Sequence, residues 1–390
     1  MTDMCLRRHL ATSILAGSFL LVTGCGGVPT QAPSANEPEP GRMAIVYWVP
    51  NSNTLSDGSL YVRELDSATH VPSGTDRLIG MGSDFWPVET HRQSLEPAWQ
   101  VVGATAQGTE ALSVNTTGLI AARWTSATAN RQVTAMASDG TVAYGPAGDG
   151  VSAIAPNGSP STYKLPPVKP GTPTVDGAPI KAPPGWGGAG SAAAILYGAD
   201  AHLIVAEHNG VNARLVDVSA NSGADLLSYS FVEGMASGPD GMLYVLAWDE
   251  SLTTNPYVFL VVDPASWSIK RAVRTPINPH AGYSQVGTLT MEATSAGILL
   301  YVTYGSTGPG ATPHSLLLEL PYGANSTSVI PTTDTLGSRM QLGADGEVRF
   351  FGGPARDRVT AYDPVSGTLA QTSASGLFAP SGSYVVAVFA

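Results

Sequence analysis

From Met43 onward the apolar residues fall in short runs, β-branched or aromatic, cut by Gly, Pro, Asn and Asp. Runs of this length and composition predict strands, and no stretch keeps a helical period. A recurring turn introduces the runs. Asp57-Gly58 precedes Leu60-Tyr61-Val62, and Asp139-Gly140 precedes Val142-Ala143-Tyr144. Asp240-Gly241 precedes Leu243-Tyr244-Val245-Leu246, and Asp345-Gly346 precedes Val348-Arg349-Phe350-Phe351. Looser copies are Asp200 before Leu203-Ile204-Val205 and Ala296-Gly297 before Leu299-Leu300-Tyr301-Val302. In such a turn Asp caps backbone N–H groups and Gly supplies a positive φ, which explains both residue types.

A second element follows each turn. Phe259-Leu260-Val261-Val262 runs into Asp263-Pro264, and Val359-Thr360-Ala361-Tyr362 runs into Asp363-Pro364. Arg214-Leu215-Val216-Asp217 is a related copy. Over most of the chain the turns recur about every 40 to 60 residues, the length of a four-stranded propeller blade. Residues 43–390, at ~45–50 per blade, predict an all-β propeller of about seven four-stranded blades. Tyr384–Phe389 and Met43–Val49 both read as strands. Pairing between these terminal strands would close the ring and leave no open sheet edge.

Tyr244-Val245 with Val261-Val262-Asp263-Pro264, and Tyr301-Val302-Thr303, resemble the YVTN-type repeat of bacterial β-propellers such as the YncE-like proteins. The resemblance covers residues 195–372 well and 43–160 poorly. It implies an architecture and no particular activity.

The N-terminus points to the cell envelope. Arg7 and Arg8 precede an apolar stretch, Leu10 to Val22, which is too short to span a bilayer well. Val22-Thr23-Gly24-Cys25 then resembles the lipobox of bacterial lipoproteins. The resemblance implies cleavage after Gly24, a diacylglyceryl group with palmitate-type acylation on Cys25, and anchorage at the outer face of the cytoplasmic membrane. Cys5 falls in the removed signal peptide, residues 1–24, so the mature domain keeps no free thiol and no disulfide. Residues 25–42 carry the lipidated Cys and a Pro-rich tether whose composition forms no core. Residues 159–190 are a Pro-rich, Gly-rich insertion in the domain, read as a surface loop or a lid carrying Trp186.

Composition narrows the partners. Charged residues are 13% of the chain against about 25% in an average soluble protein, and the net charge is −11. The four lysines, Lys164, Lys169, Lys181 and Lys270, form no patch, which argues against nucleic acid. The abundance of Ala, Gly and Pro, with Arg favoured over Lys, fits a high-GC genome such as an actinobacterium's. No P-loop, Rossmann glycine pattern, Gly-x-Ser-x-Gly, His-Glu-x-x-His or EF-hand loop occurs. Glu207-His208-Asn209, at a strand end, is the best candidate acid–base cluster, with Glu233, Asp249 and Glu250 as neighbours. Asp57, Asp139, Asp240 and Asp345 stand one per blade, too far apart to share an ion.

These readings predict a monomeric, membrane-anchored propeller that acts as a non-enzymatic platform for a protein, glycan or small-molecule ligand, with no cofactor and no metal. The competing expectation is an envelope hydrolase or lyase, of the lactonase or streptogramin-lyase kind, with a metal in the propeller channel.

Overall fold

The computed structural model describes residues 42–51, 58–66, 71–87, 98–105, 108–115, 120–126, 133–136, 142–147, 150–154, 160–164, 204–208, 213–217, 222–226, 229–277, 286–304, 314–332, 336, 339–342, 346–352, 358–373, 380 and 383–389. The signal peptide, Cys25, the tether up to residue 41, Trp186 and residues 165–203 lie outside the described residues. So do Asp57, Asp139, Asp200 and Asp345. The described residues are strand and turn, with no helix, so no helix among them is long and apolar enough to cross a membrane.

The strands run in chain order. They begin with β1 (Arg42–Pro50), β2 (Gly58–Asp66), β3 (Arg77–Pro87), β4 (Ala98–Thr105), β5 (Gly108–Asn115) and β6 (Ile120–Ser126). Next come β7 (Val133–Met136), β8 (Val142–Ala147), β9 (Gly150–Ile154) and β10 (Pro160–Lys164). Then follow β11 (Ile204–His208), β12 (Ala213–Asp217) and β13 (Ser222–Leu226). The next group is β14 (Tyr229–Ser237), β15 (Leu243–Asp249), β16 (Tyr257–Asp263) and β17 (Ser268–Arg274). After it come β18 (Val286–Ala293), β19 (Gly297–Tyr304), β20 (His314–Pro321) and β21 (Ser328–Ile330). The last are β22 (Arg339–Leu342), β23 (Val348–Gly352), β24 (Arg358–Asp363), β25 (Thr368–Ser373) and β26 (Tyr384–Phe389).

Every pairing is antiparallel between neighbours in sequence, with one exception: β26 pairs with β1, from Ala44↔Phe389 to Trp48↔Tyr384. The long β3 serves two ladders. Arg77 to Gly82 pairs back to β2, and Ser83 to Pro87 pairs onward with β4. Sheet 1 is thus β26-β1-β2 with the first half of β3, and sheet 2 is the rest of β3 with β4 to β6. Sheet 3 is β7 to β10, sheet 4 is β11 to β13, sheet 5 is β14 to β17, sheet 6 is β18 to β21 and sheet 7 is β22 to β25. The first five residues of the Pro-rich segment, counted from Pro160, form β10, the edge strand of sheet 3. Pro tolerates that first, outermost position because it lacks only an N–H that an edge leaves free.

Sheets 4, 5, 6, 7 and 1 stack face against face. Successive side chains of a strand point to opposite faces, so β15 reads as a fully apolar run only if both faces are covered. They are. Leu243, Val245 and Ala247 pack on Ile204, Ala206 and Leu215 of sheet 4, while Tyr244 and Leu246 pack on Ile298, Leu300 and Leu318 of sheet 6. Leu299, Tyr301 and Leu317 of sheet 6 turn the other way, onto Met340, Val348 and Phe350 of sheet 7. Phe351 and Val359 of sheet 7 then meet Ile45, Tyr47 and Leu65 of sheet 1. Burying each large apolar side chain in these interfaces stabilises by roughly 1.5–3 kcal/mol. Strands β11, β14, β18, β22 and β26 neighbour one another in that order. Serial meanders of three or four strands, stacked face on face from sheet 4 round to sheet 1, with their first strands gathered together, make a β-propeller.

Candidate functional site

The turns that mark the repeat are built by their acids. At Asp240-Gly241 the Gly241 N–H donates to the Gly238 carbonyl (3.0 Å), and Gly241 sits at φ 77°. Asp240 Oδ1 accepts from the Met242 N–H (3.1 Å), and Oδ2 accepts from the Tyr244 hydroxyl (2.7 Å). Burial and that bond push the Tyr244 phenol up. Asp263 and Asp363 share a second device. Each Oδ1 accepts from the N–H two residues on (2.9 Å), and each Oδ2 accepts from a Ser hydroxyl, Ser266 or Ser366. These bonds hold both carboxyls below the usual carboxylate range. Asp249 likewise accepts from the Ser251 N–H (2.9 Å) and hydroxyl (2.6 Å). Asp240, Asp249, Asp263 and Asp363 are therefore each engaged within their own turn.

Chain connectivity gathers the remaining candidates on one rim. His208 pairs with Ala213, Ala213 pairs with Leu226, and only residues 227 and 228 separate Leu226 from Tyr229, where β14 begins. Tyr229 pairs with Asp249, and Trp248 pairs with Tyr257. The end of β11 that carries Glu207 and His208 therefore shares a rim with the start of β14, the end of β15 and the start of β16. The register sets Glu207 opposite Arg214. The side chains of Glu207 and His208, and all of Asn209, lie outside the described residues. Glu250 is exposed in the loop after β15.

Glu233 stands apart from the other acids. Val232 pairs with Ala247 and Gly234 with Leu246, so Glu233 is an extra residue, a bulge on β14. Ser230 is a second bulge on the same strand, with a fully buried hydroxyl that has no hydrogen-bond partner among the described residues. Bulges increase the local twist of a strand and re-aim its side chains. Thr134 on β7 and Val386 on β26 are extra residues of the same kind.

The faces of sheet 5 are packed on both sides, yet Glu233 remains exposed. It stands on β14, the edge strand of sheet 5, which neighbours β11 and β18. Protein close by still displaces much of its water and holds its carboxyl above the usual carboxylate range. The charge of Glu233 reaches the Tyr257 phenol, as does Tyr304 of sheet 6. With burial as the larger cause, these push Tyr257 up. Trp248 meets Tyr257 edge-on, with ring centroids 5.0 Å apart. No group of three or more His, Cys, Asp or Glu side chains suited to a metal occurs among the described residues. Pattern reasoning ranked Glu207-His208 above Glu233 because a bulge leaves no mark in local sequence.

No protein-family model matches the chain, and no curated protein is similar to it in sequence. Solved structures are similar at low identity. A functionally unknown protein from Desulfotomaculum acetoxidans is 11% identical, with 87% of this chain and 98% of that one covered and a TM-score of 0.47. Oligogalacturonate lyase from Vibrio parahaemolyticus is 8% identical, with 85% and 86% covered and a TM-score of 0.43. TolB from Acinetobacter baumannii is 10% identical, with 90% and 82% covered and a TM-score of 0.36.

Proposed function

We propose that the protein is a cell-envelope lipoprotein, anchored through Cys25 and standing off the membrane on residues 26–42. Its propeller is a ring of seven blades closed by β26, and it serves as a non-enzymatic binding platform. The observation that carries this reading is the engagement of Asp240, Asp249, Asp263 and Asp363 within separate turns. Carboxylates fixed in this way stabilise blades and leave the rim to recognise a ligand. The stacking of sheet 7 on sheet 1 through Phe351, Val359, Ile45 and Tyr47 supports the closed ring.

The acylated Cys is the only membrane attachment in this account. Cys25→Ser should therefore move the protein from the membrane fraction to the soluble extracytoplasmic fraction, read by fractionation and by the mass of the N-terminal peptide. A Cys25→Ser protein that stays in membranes after signal cleavage contradicts the anchor. The hydrolase or lyase alternative makes a separate demand, a stoichiometric metal in the purified protein, and elemental analysis distinguishes the two.

A further inference from the structure

An outermost strand presents unpaired N–H and C=O groups that invite another chain, and charge, Pro, a bulge or short length blocks that pairing. Among the described residues, the outer strand of every sheet but one carries such a block. In sheet 1, β3 is bulged at Ile79 and then passes into sheet 2. In sheet 2, β6 is bulged at Ala121 and carries Arg123. In sheet 3, β10 opens on Pro160 and closes on Lys164. In sheet 4, β13 carries Asp225. In sheet 5, β17 is bulged at Lys270 and carries Arg271 and Arg274. In sheet 6, β21 has only three residues.

Sheet 7 is the exception. Its outer strand, β25, pairs with β24 over six residues in unbroken register, and none of the six is charged, Pro or Gly. Thr368, Ala370 and Gln371 are exposed, so these side chains are uncovered. The turn that leads into β25 holds Val365, an apolar side chain 82% exposed.

The composition of β25 also points to its occupant. A neutral strand offers nothing for a charged segment to recognise, but it meets its own copy without repulsion. Thr and Gln side chains each donate and accept, so the same residues complement one another. Two copies of β17 would instead set cations against cations. In an antiparallel pair, hydrogen-bonded and non-hydrogen-bonded rungs alternate. A two-fold axis must therefore pass through a rung, and one residue faces its own copy. Centring the pair on Ala370 puts a small side chain at the axis. It also sets Thr368 opposite Thr372 of the second copy, a favourable cross-strand pair. We propose that the protein forms a two-fold dimer through β25, which joins sheet 7 of both copies into one continuous antiparallel sheet. This goes beyond the binding-platform reading and replaces the monomer expected from composition.

The test uses the full-length protein purified in non-ionic detergent. Its only cysteines are Cys5 and Cys25, so one introduced thiol reports one contact, and the parent protein shows any link through those two. Ala370→Cys or Gln371→Cys should form a disulfide-linked dimer under mild oxidation. Lys270→Cys, on the outer strand of sheet 5, should not. Light scattering of the parent, corrected for detergent, should give twice the monomer mass. Ala370→Lys brings two like charges together near the axis and should weaken association at least about tenfold, with an unchanged circular dichroism spectrum.

Three results overturn the proposal. One is a monomer at every protein concentration. Another is a dimer that persists in Ala370→Lys and links through neither Ala370→Cys nor Gln371→Cys. The third is equal linking through Lys270→Cys, which marks random collision. None of them bears on the membrane anchor, which Cys25→Ser tests by itself.

Discussion

Trp267 shows how one residue trades backbone strain for contact between sheets. It adopts φ 53°, a conformation that costs a bulky side chain roughly 1–2 kcal/mol. In the equivalent turn of sheet 7 the position is Gly367, at φ 68°. Trp267 is held there because its indole N–H donates to Ser222 Oγ of sheet 4 (2.9 Å), and its ring packs on the core between the two sheets. Trp267→Gly should relieve the strain yet destabilise by about 1–2 kcal/mol net, since the packing lost exceeds the strain relieved. Trp267→Phe should lose about 1 kcal/mol, the hydrogen bond alone. Urea denaturation measures both, and a Trp267→Gly protein more stable than the parent contradicts the account.

Glu319 on β20 makes the opposite trade. Its Oε1 is buried with no partner among the described residues, and Tyr362 of sheet 7 donates to the carboxyl. Burial is the larger influence and raises the carboxyl, and the Tyr362 phenol is pushed up to about 12. The folded chain therefore holds this proton more tightly than the unfolded chain. Its contribution to stability is complete at pH below the ordinary carboxylate range and is lost as pH rises through the raised value. Glu319→Gln should remove that loss. Its thermal midpoint should exceed the parent's by a few degrees at pH 8 and match it near pH 4. A constant gap between the two proteins across that range contradicts the assignment.

At the scale of elements, the Asp240-Gly241 turn and the apolar runs were legible because each has a local cause. Asp240 caps its turn with its own carboxylate, Gly241 supplies the positive φ, and Leu243 to Ala247 alternate between two packed faces. The division of β3 between two ladders was not legible, since nothing at Gly82-Ser83 announces a change of partner. The bulges at Ser230 and Glu233 were not legible either, because an extra residue shows only against the strand opposite.

The glycines separate two kinds of constraint. A methyl at Gly297 would stand 2.5 Å from the Leu320 carbonyl oxygen and 2.8 Å from Pro321 Cα, both backbone atoms of β20. A methyl at Gly241 would meet nothing within 4 Å, and only its φ resists substitution. Gly297→Ala should therefore cost about 1–3 kcal/mol by forcing two strands apart. Gly241→Ala should cost about 1 kcal/mol. Equal losses in thermal or urea unfolding contradict this reading of the β19–β20 ladder.

At the scale of the molecule, sequence pattern pointed to a partner for the last strand near Met43, and β26 pairs with β1. It could not place Glu233 on β14 relative to the end of β11, because that depends on how whole sheets stack. That stacking also joins the termini to the site. Sheets 4, 5, 6, 7 and 1 pass their cores one to the next, and β26 lies beside β22 at the first-strand position of sheet 1. If the ring is one cooperative unit closed by β26, removing residues 384–390 weakens sheet 5 as well as sheet 1, although no strand of sheet 5 pairs with β1 or β26. Hydrogen exchange read sheet by sheet on this truncated protein tests the account most directly. The account predicts faster exchange in β15 and β16 together with β1, and a single lowered unfolding transition. Unchanged protection in β15 and β16, with exchange raised only in β1 and β2, would contradict it.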